Sequence, residues 1–261
     1  ISLHPAGHVI GSSQIRLEKD GEVWVVSGDY KTEDDGVSGA FEPVRCNSFI
    51  TESTFGLPIY NWQPQAVQYA QIGEWILQNQ QQGYTSVLLA YSLGKAQRVL
   101  QAAAMVTDHI FLHGAVANTN DVLMNAGITL PFAKRVTVNV TKEELKKAVV
   151  IAPSSVLDSP WLKRFTPYRV AICSGWMQVR GNKRRQNADA GFAISDHADW
   201  NGLLQAVKAT GAEQVYVTHG FQSAFSRYLQ EQGIQSAEVV TQYGEAFETD
   251  DVPASTQEQQ P

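Results

Sequence analysis

Residues 216–225 read YVTHGFQSAF. An apolar run stops at His219, Gly220 follows, and a helix-like stretch takes over. A strand that stops on a histidine leaves an imidazole at the edge of a sheet. Alone, such a ring is more readily a hydrogen-bonded structural residue than a ligand. Four other short pieces share its character: PAGH with His8, SGDY with Asp29, TEST with Glu52 and SDHAD with His197. Each sets a ligand-type side chain at a strand end or tight turn, where functional groups converge in open α/β sheets. Histidine and aspartate are donor types that suit zinc. Each piece also has a plain alternative. Asp29 reads equally as a turn residue after Gly28, and His197 as the neighbour of a helix cap.

The pattern around these pieces predicts the fold class. IRLEKDGEVWVV holds two strand-like runs around Asp20-Gly21, a hairpin signal, and SFITESTFG adds a short strand. From residue 65 onward strands alternate with helices. Val67, Ala70, Ile72, Ile76 and Leu77 recur at helical spacing over 65–82. TSVLLAY, DHIFLHGAV, KAVVIAPSSV, RVAICSGW and GFAIS read as short buried strands. Helices are expected in SLGKAQRVLQAAAM, in VANTNDVLMNAG closed by Gly127, in DWNGLLQAVKATG closed by Gly211, and in SAFSRYLQEQG. The alternation indicates α/β architecture with parallel strands covered by helices. Pro58 and Pro64 bracket the entry to an inserted α/β module.

The chain has 261 residues, 43% hydrophobic and 18% charged, enough for a well-buried core. It has no apolar run long enough to cross a membrane as a helix. Cys46 and Cys173 form no C-x-x-C pair, which argues against a disulfide framework and fits a reducing cytoplasm. A net charge of −6 argues against nucleic-acid binding by bulk charge alone and calls for a local basic patch. VRGNKRRQ, with Arg184 and Arg185, is one candidate, with a solvated loop as its plain alternative. AYSLGKAQ is another: Ser92, Lys95 and the free N–H groups of a helix start can cradle a phosphate. Its spacing is not that of a Walker A loop, and an ordinary strand–helix turn is the alternative.

Taken in order, HPAGHVIGS, VSGDY, ITESTFG, SDHAD and VTHG resemble the metallo-β-lactamase fold carrying a β-CASP insertion. That is the nuclease branch of Artemis, the crosslink-repair nucleases, RNase J and the polyadenylation-cleavage endonuclease. GEVWVVSGDYKTE, FITESTFGLPIY, AYSLGKAQRVL, LHGAV, CSGWM and TQYGEA are most similar to the bacterial ligase-associated DNA exonucleases. The resemblance implies an αββα sandwich from residues 1–60 and 170–248 and a β-CASP domain over 61–169; the polar composition of the last stretch predicts a disordered tail over 249–261. It implies a cytoplasmic, metal-dependent DNA exonuclease acting in repair with an ATP-dependent DNA ligase and a helicase. Two zinc ions, with manganese as the alternative, would activate water for attack on phosphorus. His8, Asp29 and His219 would be metal ligands, with Asp29 bridging. His197 would protonate the leaving oxygen, oriented by Glu52. Ser92, Lys95, Arg184 and Arg185 would grip phosphates, and His113 in LHGAV would have a structural role.

One departure stands out. The family's His-x-His-x-Asp-His motif is absent, and no His-x-His occurs among His4, His8, His109, His113, His197 and His219. The chain opens on ISLHPAGH as if within a domain. The expectation is an N-terminal truncation that leaves part of a two-metal ligand set, so that this chain alone binds metal weakly and is inactive. Three rivals remain: an RNA-processing nuclease of the same fold, a non-catalytic scaffold member, and a small-ester hydrolase. The separation of 190 positions from Asp29 to His219 argues against the last, which lacks so long an insertion.

Overall fold

The computed structural model describes residues 1–179 and 188–239. The basic run with Arg184 and Arg185, and the expected tail over 249–261, lie outside the described residues. The described residues form two compact units, one from Ile1–Trp62 and 196–239, the other from Gln63–Ser195. Both are mixed layers of sheet and helix, as the alternation predicts.

The first unit holds strands β1 (Ser2–Pro5), β2 (Ser13–Lys19), β3 (Glu22–Val26) and β4 (Ser48–Ser53). The second unit follows with β5 (Thr85–Leu89), β6 (Ile110–Leu112), β7 (Lys134–Arg135), β8 (Val149–Ala152), β9 (Tyr168–Cys173) and β10 (Ala190–Phe192). The chain then returns to the first unit with β11 (Gln214–Gly220) and β12 (Gln235–Glu238). The first sheet runs β1-β2-β3-β4-β11-β12. β1, β2 and β3 are antiparallel, and β4, β11 and β12 continue in parallel. The β2–β3 turn has both Asp20 and Gly21 at positive φ (54° and 84°), the paired left-handed geometry that a tight hairpin requires.

One face of this sheet is a helix-covered core. Val25, Phe49 and Val215 stand abreast in the register. They pack with Trp200, Leu203, Ala206 and Val207 of the helix Trp200–Thr210 and with Phe225 and Leu229 of the helix Gln222–Glu231. Asp199 caps the first of these helices by accepting the Gly202 N–H, and Gly211 closes it in left-handed geometry. The opposite face is also apolar. Leu3, Ile15, Val26, Ile50 and Tyr216 form one ladder across it, with Leu17 and Trp24 beside them. Leu3 is 67% exposed and Ile15 41%.

The second sheet is wholly parallel, in the order β10-β9-β5-β8-β6-β7. Its strands are buried on both faces, hence the unbroken runs VLL and VVIA. Leu88, Val149 and Ile151 face the helices Gln65–Gln81, Lys95–Ala104 and Gly114–Asn125, while Val87, Val150 and Val170 face Leu145, Leu162 and Phe165. Two expectations shift. The chain leaves the second unit after Ser195 rather than at residue 170, because β9 and β10 hydrogen-bond into its sheet. The strand expected in DHIFLHGAV stops at Leu112, because His113 caps the helix that begins at Gly114. No helix among the described residues is long and apolar enough to cross a membrane.

Phe49 is fully buried at the centre of the first sheet. Phe49→Ala is expected to cost about 3–5 kcal/mol, read as a lower urea midpoint with little change in slope.

Candidate metal centre

Three turns of the first unit assemble one site. After β1 the chain folds back on itself: Ser12 Oγ accepts the N–H groups of His8 and Val9 at 3.1 and 3.2 Å. Gly7 at φ 72° makes this turn, and a Cβ there would sit 2.4 Å from the Lys31 carbonyl oxygen, so only glycine fits. After β3, Gly28 turns the chain at φ 57° and presents Asp29. Before the helix Trp200–Thr210, the SDHAD turn carries His197. The Asp199 carboxylate of that turn accepts the Trp62 N–H, and the Trp62 indole donates to the His197 carbonyl.

Glu52, at the end of β4, ties the Asp29 turn to the His197 turn. It is 1% exposed. Its Oε1 accepts the Tyr30 N–H at 2.7 Å, its Oε2 accepts the Thr54 N–H at 3.3 Å, and His197 Nδ1 lies 2.9 Å from Oε2. The Tyr30 carbonyl in turn accepts the Ala198 N–H at 2.6 Å. Burial alone would push the Glu52 carboxyl up. The His197 charge and the hydrogen bonds from His197, Thr54 and Tyr30 outweigh burial and hold it below the usual carboxylate range. Asp29 goes the other way. Burial and the neighbouring Glu52 charge raise it, and His197, His8 and His219 only partly offset them.

The hydrogen bonds also fix the tautomers. His8 Nδ1 is 3.0 Å from the Asp196 carbonyl, which can only accept, so the proton sits on Nδ1. His197 Nδ1 faces the ionised Glu52 and is likewise the donor. His8 therefore offers Nε2 as a lone pair, while His197 Nε2 is a lone pair in the neutral ring and an N–H donor in the protonated one. One donor atom each from His8, Asp29 and His197 fall within 4.8 Å of one another. The two rings lie 4.6 Å apart, and Phe55 packs edge-on against His197. His8 Nε2, with its ring held from behind by an acceptor, and the Asp29 carboxylate are donors that fit a borderline divalent cation such as zinc, with the His197 ring beside them.

His219 lies outside that 4.8 Å group, although its charge acts on Asp29. In the second unit, Ser92 stands after β5 and its carbonyl accepts from Gln97. Lys95 is 3% exposed, with its ammonium 4.6 Å from the centre of the Tyr91 ring. His113 caps its helix through Nδ1, which accepts the Ala115 N–H, and its ring meets Trp161 edge-on. Sequence reasoning missed the Asp196 carbonyl and the Tyr30 amide. Both are main-chain roles, and no side-chain identity signals them.

No family model matches the chain. It is 30% identical over 238 residues to a protein of Opitutus terrae named "Probable DNA ligase"; the match covers 90% of this chain and 23% of that protein. The chain thus spans about a quarter of that relative. It also shares a fold with a protein of unknown function from Enterococcus faecalis V583 whose crystal structure is known. The TM-score is 0.57 at 10% identity, covering 93% of this chain and 62% of the other.

A depressed buried carboxyl contributes stability that is present above its unfolded value of about 4.5 and lost as pH falls through the folded value. Glu52→Gln should therefore cost about 1.5–3 kcal/mol at neutral pH. It should also flatten the fall in stability below pH 4.5, read by urea unfolding across pH.

Proposed function

We propose that the protein is a metal-dependent phosphodiester hydrolase that acts on DNA. The observation carrying this reading is the cluster itself: donor atoms of His8, Asp29 and His197 lie within 4.8 Å of one another, and the buried Glu52 carboxylate holds the Nδ1 side of His197. Divalent cations, two zinc ions in this reading with manganese as the alternative, supply Lewis-acid chemistry at the phosphoryl group. His8, Asp29 and His219 hold them. His197 gives a proton to the leaving sugar oxygen, and Glu52 keeps its ring oriented by accepting from Nδ1. Ser92 and Lys95, with Arg184 and Arg185, take backbone phosphates.

The finer assignment is a metallo-β-lactamase unit carrying a β-CASP insertion. It is supported by the order of the motifs and by the apolar second face of the first sheet, the kind of surface a second sheet layer covers. The similarity to a protein named as a probable DNA ligase supports DNA as the substrate; a ligase and a helicase as partners follow from the motif resemblance. Exonuclease action in DNA repair is the activity we assign.

In the native protein with zinc or manganese, single-stranded DNA should be degraded from an end, and RNA of the same sequence poorly. His197→Ala should slow the chemical step by about 10²–10⁴ with metal content intact. Asp29→Asn should lose both activity and metal. Loss of metal in His197→Ala would make His197 a ligand instead, and preferential RNA cleavage would assign the protein to RNA processing.

A further inference from the structure

His219 is held in a conformation that histidine does not favour. Its φ is 58°, in the left-handed region. The β4–β11 ladder breaks at this point: Thr218 pairs with Glu52, but Gly220 rather than His219 pairs with Ser53. His219 is thus the extra residue of a bulge, which turns its side chain out of the strand's alternation. Gly220 follows at φ 80°, where a Cβ would lie 2.3 Å from the Ser53 carbonyl oxygen.

Two side chains grip the strained peptide. Ser53 is fully buried, and its hydroxyl donates to the His219 carbonyl at 2.6 Å. The Ser53 carbonyl accepts the Phe221 N–H at 2.9 Å, closing the far side of the bulge. On the amide side, Gln222 accepts the His219 N–H at 3.2 Å while donating to the Val217 carbonyl at 3.3 Å, in the amide orientation that satisfies both its atoms. Backbone strain persists only where surrounding contacts over-determine it, and it concentrates at functional sites. Ser53 also directly follows Glu52, so one strand end serves His197 and His219 together.

We propose that Ser53, backed by Gln222, is a positioning residue that sets the His219 imidazole for a metal ion. The inference rests on the reading of His219 as a ligand. Neither residue touches the ion; both act through the His219 main chain, as outer partners of metal ligands do.

Zinc alone, titrated into the chain and followed by NMR, tests this. The three-bond amide coupling and carbon shifts of His219 report its φ. Ser53→Ala should abolish the left-handed φ and weaken zinc by about tenfold or more. The double variant Ser53→Ala/His219→Ala should bind no more weakly than His219→Ala alone. Gln222→Ala should move both readouts the same way by less, and it serves if Ser53→Ala does not fold. An unchanged φ in both variants, or a zinc loss from Ser53→Ala that adds to that of His219→Ala, overturns the proposal. If His219→Ala leaves zinc affinity unchanged, the ligand reading fails and the proposal falls with it. The φ measurement still shows separately whether Ser53 holds the bulge.

Discussion

The first unit depends on the Glu52 carboxylate. A fully buried charge is costly unless every lone pair is used. Here the carboxylate accepts from Tyr30, Thr54 and His197, which belong to three different turns. The Tyr30 carbonyl passes the restraint on to Ala198, next to His197. Asp29 and His197 are therefore placed by one anion, and neither turn can move without leaving that anion short of a donor.

The same strand end has a second task. Ser53 grips His219 while Glu52 grips His197, so adjacent residues of β4 serve two histidines from distant parts of the sequence. The sheet makes this economical. β4 is a central strand with β3 and β11 on either side, so the turns after three parallel neighbours open at one edge. The helices Trp200–Thr210 and Gln222–Glu231 lock that edge by packing on the face that bears Phe49.

Much of this was legible in the sequence. The hairpin at Asp20-Gly21, the parallel second sheet and the helix stops at Gly127 and Gly211 follow from periodicity and turn chemistry. Placement at strand ends marked His8, Asp29 and His197 as candidates but did not by itself bring them together; their proximity is set by the turns. The return point at Ser195 was not legible, because β10 is three residues long and its allegiance is decided by pairing rather than composition. Nor was the burial of Lys95, which sits on the Tyr91 ring. The left-handed His219 was hidden too, since nothing in VTHG distinguishes a bulge from a strand simply ending.

Zinc-edge anomalous diffraction from crystals of the chain soaked in zinc tests the central claim most directly. An anomalous peak about 2.0–2.2 Å from His8 Nε2 and an Asp29 carboxylate oxygen is the predicted result. Zinc bound elsewhere with this cluster unoccupied, or His8 coordinating through Nδ1 after losing the Asp196 carbonyl, would contradict it.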